Sequence, residues 1–360
     1  MAQTLVIGTR GSKLALTQAH MVAADLRAAH PGLEVELTII STKGDRILDV
    51  ALSAVGDKGL FVKELEVALL DGTIDLAVHS GKDLPSLIPD GLTLAAFPHR
   101  ADVRDVLVRC AQTDVPTSHP DSTTAQCSIL DHLPQRARVG TSSLRRACQL
   151  RALRPDLSVL DVRGNVATRL RKLAEGQFDA LVLAAAGLDR LGIRDWRCYE
   201  SEAAESRSTD SQIQFPIAIT PIPVDLMLPA VAQGALAIEA RANDTQTLSL
   251  LAALDDPATR AAVFAERAFL RRLEGGCQVP IAGHATFTTE HTTAGNGHPR
   301  QQLAMHGLVG ALDGSSIIRG AHTGDPADPA TLGIALAEEL LARGADSILD
   351  ELRSGQEVSQ

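Results

Sequence analysis

Aromatic residues are scarce in this 360-residue chain: seven Phe, one Trp and one Tyr. So few rings leave little on which to stack unpaired bases. A formal net charge of −10 argues in the same direction, against a general nucleic-acid binder. Cysteine is sparse too. Cys110, Cys127, Cys148, Cys198 and Cys277 are widely spaced and form no CxxC pair. That pattern encodes neither a zinc cage nor a thioredoxin-type site, and a disulfide framework is not expected, which fits a reducing compartment. The histidines show no HExxH or other metal-ligand spacing, so no metal is expected. GxGxxG, Walker A and GxSxG sequences are missing as well. The longest apolar run, residues 180–188, is too short to span a bilayer. The N-terminus has no basic region followed by a long apolar stretch, so it does not read as a secretory signal. These absences predict a soluble, cytoplasmic protein with no membrane or nucleic-acid partner.

What is present is ample apolar residue in regular patterns. Hydrophobic residues make up 45% of the chain, enough for real cores, and the length predicts two or three domains. Leu5-Val6-Ile7 reads as a buried strand. Ser12 can cap a helix carrying Leu14, Leu16, Met21 and Leu26. Residues 33–40, 74–78 and 92–97 read as strands, and residues 59–70 as a helix. The alternation resumes after a polar stretch at 111–128. Strands are predicted to end at Gly140 and to cover 158–160 and 180–184, with helices opening at Thr141-Ser142-Ser143 and Asn165. A second polar insertion spans 197–214. From about residue 256 the pattern changes to a helix, strands near 281, 303–309 and 316–318, and a final helix over 332–341, with a polar loop at 286–302. Strands alternating with helices imply mostly parallel sheets, followed here by a small α+β unit.

Charge is uneven. Residues 136–172 contain ten basic side chains against only Asp156 and Asp161. Lysine is rare, with five of six before residue 83, so this stretch relies on arginine. A guanidinium grips carboxylate or phosphate through two parallel hydrogen bonds. An arginine cluster in an acidic chain points to a small polyanion held in a cleft, although any single arginine could instead cover a solvated helix face.

Three strand-to-helix junctions share one design: Gly8-Thr9-Arg10-Gly11-Ser12, His79-Ser80-Gly81-Lys82-Asp83, and Gly140-Thr141-Ser142-Ser143-Leu144-Arg145-Arg146. Each follows an apolar strand and offers hydroxyls, backbone N–H groups and a cation. Helix N-termini favour anions, and ligands of open α/β sheets sit beyond the carboxyl ends of strands. Ordinary capping is the competing account of the Thr, Ser and Gly residues. Arg163-Gly164-Asn165 is a fourth such junction. Asp83 is the lone acid in this basic setting, suited to stabilising a cation that develops in a substrate, or else to capping a helix beside Lys82. Cys277, after Gly275-Gly276, could carry a covalent group, although a lone cysteine is more often a small buried hydrophobe. The other four have no such context.

Eight stretches taken together closely resemble one family, the porphobilinogen deaminases or hydroxymethylbilane synthases. They are IGTRGSKLALTQA, GDKGLFVKELE, DLAVHSGKDLP, VGTSSLRRACQL, DVRGNVATRL, LAAAGLDRLG, LPAVAQGALAIE and RAFLRRLEGGCQVPIAGHA, in family order from residue 7 to residue 285. The resemblance implies two α/β domains like type II periplasmic binding proteins, residues 1–102 with 230–253 and residues 103–229, with the active site between them. A small α+β domain, 254–360, follows. It implies a transferase of tetrapyrrole (haem) biosynthesis. Such an enzyme joins four porphobilinogen molecules head to tail into hydroxymethylbilane and releases ammonia at each addition. A dipyrromethane cofactor primes the chain, and EGGCQVPIAGHA assigns its thioether to Cys277.

By the same matching, Asp83 stabilises positive charge on pyrrole nitrogens and assists proton transfer, with Lys82 beside it. The cofactor contacts implied are Arg10, Ser12, Lys82, Asp83, Thr141, Ser142, Arg145, Arg146, Arg163, Gly164 and Arg169. Substrate contacts are Arg10, Gln18, Arg163, Arg169 and Arg190, and Lys58 lies in a loop that closes over the site. The family suggests a monomer. Two positions depart from its pattern: Gly81 stands where Met or Leu is usual, and Ala232 where glycine is common. A ligand-binding module would explain the two α/β halves and the anion cleft, but not Cys277 or the third domain. A nucleic-acid binder would explain only the basic stretch.

Overall fold

A computed structural model describes residues 4–42, 62–110, 129–193, 217–273, 279–290 and 300–357. The strands β1 (Thr4–Thr9), β2 (Glu34–Ile39), β3 (Leu76–Ser80) and β4 (Leu92–Ala96) are joined by β10 (Leu236–Arg241) in one five-stranded sheet ordered β2-β1-β3-β10-β4. A second sheet, ordered β7-β6-β8-β5-β9, holds β5 (Asp105–Cys110), β6 (Arg138–Gly140), β7 (Ser158–Leu160), β8 (Ala180–Ala184) and β9 (Ile217–Pro221). Both sheets have the same plan. Three strands run parallel, and the fourth lies antiparallel to the neighbours on either side. This repeated topology gives two α/β sheets of the kind expected from the sequence.

The reason for each strand is visible in its side chains. Leu5, Ile7, Leu76, Val78 and Ile238 are buried in one cluster with Val22 and Leu26 of α1 (Lys13–Ala29). Val106, Val108, Leu181 and Leu183 do the same against Leu170 and Leu173 of α4 (Val166–Ala174). Between these helices in sequence lie α2 (Lys63–Leu70) and α3 (Leu144–Leu153), and α5 (Ala185–Arg190) follows. Ser12 and Asn165 cap α1 and α4, accepting hydrogen bonds from the Ala15 and Thr168 amides at 3.3 and 2.9 Å.

After α6 (Thr245–Leu251), helix α7 (Pro257–Arg272) leads to an antiparallel meander of β11 (Ile281–Glu290), β12 (Arg300–Gly310) and β13 (Ile317–Gly324). Helices α8 (Pro329–Leu340) and α9 (Asp346–Glu357) end the chain. Phe269 of α7, Met305 and Leu336 share one buried cluster with Leu84, Phe97 and Val231, so the third unit has a common core with the first.

The polar loop expected at 286–302 is corrected at both ends, and residues 291–299 lie outside the described residues. Thr286 to Glu290 pair with Ala304 to Arg300 as strand, because β-branched threonines alternating with Phe287 suit a pleated surface. The strand expected at 74–78 lies two residues later, at Leu76–Ser80. The helix expected at 59–70 runs from Lys63, and residues 59–61 lie outside the described residues, as do the insertions at 111–128 and 197–214. Strands β5, β9 and β10 and helices α5, α6 and α9 were not anticipated.

Candidate active site

The carboxyl ends of β1, β3, β6 and β8 carry the motif residues. Strand β3 ends at Ser80, and Gly81–Asp83 form one tight helical turn. Lys82 is partly buried there, while Asp83 is exposed. Burial pushes the Lys82 ammonium down to about 8; Asp83 and Asp105 oppose the shift, and Arg146 and Arg145 add to it. Arg169, on α4, is likewise brought down to about 10 by burial and by the charges of Arg146 and Arg163, against Asp161 and Asp83. Lys82 and Asp83 of the first sheet thus share one electrostatic environment with Arg146, Arg163 and Arg169 of the second. A β-carbon on Gly187 of α5 would lie 4.0 Å from Leu14 of α1.

Other sequence candidates have local partners. Gln18, buried, donates to the Ser80 hydroxyl at 3.0 Å, which steadies the end of β3. The Ser142 hydroxyl donates to the Val162 carbonyl at 3.0 Å, and the Thr141 hydroxyl accepts from the Ser143 amide at 3.2 Å. Gly164 has φ 108°, and a β-carbon there would strike Thr168, so the turn requires glycine. Its carbonyl accepts from Arg169 Nε at 2.8 Å. Arg190 is brought down to about 10 by burial, and its Nη2 donates to the Gly234 carbonyl at 2.7 Å. Arg10 and Arg163 are partly buried near the ends of β1 and β7. Cys277 and Lys58 lie outside the described residues.

Arg145 and Arg146 are 4% and 6% exposed. Both grip the fully buried Asp105, at 2.7 Å each. Arg145 also donates to the Leu228 carbonyl and Arg146 to the Val182 carbonyl. Burial alone would raise the Asp105 carboxyl, but the two guanidinium charges and their hydrogen bonds outweigh it and hold it far below the usual carboxylate range. Two cations share one anion, so a net positive charge remains at the cleft.

The sequence reading missed Asp105 and three further residues that frame this site. Gln233 donates to Asp105 at 2.9 Å and to the Val103 carbonyl. Arg100 makes a two-pronged ion pair with buried Glu266, at 2.7 and 3.0 Å. Glu266 also accepts from the Ala232 and Ala285 amides at 2.6 and 2.8 Å, joining the third unit to the first. A charged residue entering the apolar run Val106-Leu107-Val108 was the available signal for Asp105. Among the described residues no cluster suits a metal ion, and no helix is long and apolar enough to cross a membrane. Cys148 is buried, its thiol pushed up to about 11 by burial.

A family model described as porphobilinogen deaminase, dipyromethane cofactor binding domain, matches residues 5–249, and one described as porphobilinogen deaminase, C-terminal domain, matches residues 260–342. The chain belongs to the porphobilinogen deaminase family. Relatives named porphobilinogen deaminase agree. That of Roseiflexus castenholzii is 51% identical over 97% of this chain and 99% of its own, and that of Brevibacillus brevis is 48% identical over 96% of each. A third, from Syntrophotalea carbinolica, is 49% identical over 98% and 96%. Among solved structures, the reduced OxyR regulatory domain from Pseudomonas aeruginosa is 13% identical with a TM-score of 0.37, covering 70% of this chain and 96% of that one. The BenM effector binding domain is 17% identical with a TM-score of 0.36, covering 70% and 90%. Likenesses this low carry no functional weight.

Proposed function

We propose that the cleft between the two sheets condenses porphobilinogen units into hydroxymethylbilane, with ammonia lost at each addition. The reading is supported above all by one arrangement: the exposed carboxylate of Asp83 set among Lys82, Arg146, Arg163 and Arg169. Each pyrrole of such a substrate bears an acetate and a propionate, so a growing chain accumulates negative charge. The cationic groups answer that charge. They equally oppose the positive charge left on the substrate's aminomethyl carbon as ammonia departs. Asp83 offsets that opposition at the point where it matters, and fixed charge of this kind is often the largest catalytic contribution.

The donor set also fits a dipyrromethane, whose carboxylates match a cation-rich cleft. Lys82, Arg10, Ser12, Thr141, Ser142, Arg146, Arg163, Gly164 and Arg169 would hold it, with Arg145 and Asp83 beside them and Cys277 as its anchor. When bound, it supplies a nucleophilic pyrrole carbon at the end of a covalently tethered chain. Arg10, Gln18, Arg163, Arg169 and Arg190 are assigned to incoming substrate, and Lys58 to the loop that covers it. The domain boundaries proposed are 1–102 with 230–253, 103–229 and 254–360, and the enzyme is proposed to act as a cytoplasmic monomer.

The test is direct. Purified protein given porphobilinogen should release ammonia and yield uroporphyrin I after acid oxidation. Its intact mass should exceed that of the bare polypeptide by two pyrrole units, and Cys277→Ala should remove that excess. Absence of ammonia release, or a bare-polypeptide mass from cells that make porphobilinogen, would refute the assignment.

A further inference from the structure

Gly81 and Ala232 meet in space. Gly81 opens the turn that presents Lys82 and Asp83. A β-carbon placed on Gly81 would lie 3.0 Å from the Ala232 methyl, 3.2 Å from the Ala232 carbonyl oxygen and 3.3 Å from that of Ala235. Comfortable carbon contacts need roughly 3.5–4.0 Å. Ala232 is 1% exposed and has φ 57°, a left-handed conformation that its β-carbon makes costly. The methyl of Ala232 therefore lies against the face of Gly81 where a side chain would stand.

The backbone around the pair is fixed. The Gly81 amide donates to the Ala235 carbonyl at 2.9 Å, and the Ala235 amide to the Ala232 carbonyl at 3.2 Å. The Ala232 amide donates to buried Glu266 at 2.6 Å. Packing against Gly81 is thus held from below by a carboxylate of the third unit. Neighbouring Gly234 accepts from Arg190 of the second lobe.

We propose that Ala232 is a positioning residue for the Lys82–Asp83 turn, its methyl taking the space that a side chain at position 81 would fill. This rests on the catalytic reading of that turn. Ala232 touches no reacting atom and acts only through the placement of Lys82 and Asp83.

A double-mutant cycle on the holoenzyme tests it. Ala232→Gly should leave the melting temperature unchanged or raised, since backbone strain is relieved, yet lower kcat about threefold to tenfold, because small misplacements of catalytic groups are costly. Gly81→Met alone should lower both melting temperature and kcat. The double variant should regain kcat to within about threefold of the native value, an interaction that independent sites do not show. If the two single losses simply multiply in the double variant, or if Ala232→Gly keeps native kcat, the proposal is overturned. Should the native protein release no ammonia at all, the functional assignment fails separately. The melting temperatures of the same variants then decide the contact: rescue of Gly81→Met by Ala232→Gly upholds it, and simple addition overturns it.

Discussion

Lys82 is the residue whose charge is most finely set. Its ammonium titrates at about 8, well below the ordinary 10.5, because it is buried among other cations. Between those values the unfolded chain holds a proton that the folded chain has lost, so raising pH through this window stabilises the fold. The same change removes a cation from the site. We therefore expect KM for porphobilinogen to rise above about pH 8 while the melting temperature does not fall from this cause. Lys82→Arg, which stays charged, should flatten the KM limb. A native KM that is constant from pH 7 to about 9.5 would contradict the shifted lysine. Asp83 and Lys82 were legible from the sequence because they lie side by side in one motif. Asp105 was not, because its importance arises only when Arg145, Arg146 and Gln233, distant in sequence, converge on it.

At the scale of elements, helix α7 contributes more than its apolar face. Its Glu266 is fully buried and binds Arg100, the Ala232 amide and the Ala285 amide. Burial would raise this carboxyl, but Arg100 and the nearby His284 outweigh it and bring it to about 2. A carboxyl depressed in the folded state contributes stability that is complete above its unfolded value of 4.5 and is lost as pH falls towards 2. Denaturant unfolding should show that decline in the native protein. Glu266→Gln should be less stable by about 3–5 kcal/mol at pH 7, since Arg100 is left buried without its charge partner, and should lose less on acidification. Equal acid sensitivity in both proteins would remove Glu266 from this role. The helix itself was readable from its periodicity, whereas β5 was missed: its short apolar run abuts a polar stretch, and only pairing with β8 and β9 identifies it as an interior strand.

At the scale of the molecule, the motifs holding Arg10, Asp83, Ser142, Arg163 and Arg190 lie beyond the ends of β1, β3, β6, β7 and β8, so that part of the site was legible as a set of loops. What joins the lobes was not. Segment 232–235 bonds to Glu266 of the third unit, to Asp105 and Arg190 of the second lobe, and to the Gly81 turn. These ties depend on tertiary proximity rather than on any local pattern, and they place the cationic face of one lobe against the carboxylate of the other. The most direct measurement of that arrangement is the turnover of Asp83→Asn with porphobilinogen, followed by ammonia release beside the melting temperature. The exposed side chain can be neutralised without burying a charge, so the melting temperature should match the native protein while kcat falls by about 10²–10³-fold. A variant that melts normally and keeps kcat within a few-fold of native would show that the carboxylate does not carry the chemistry.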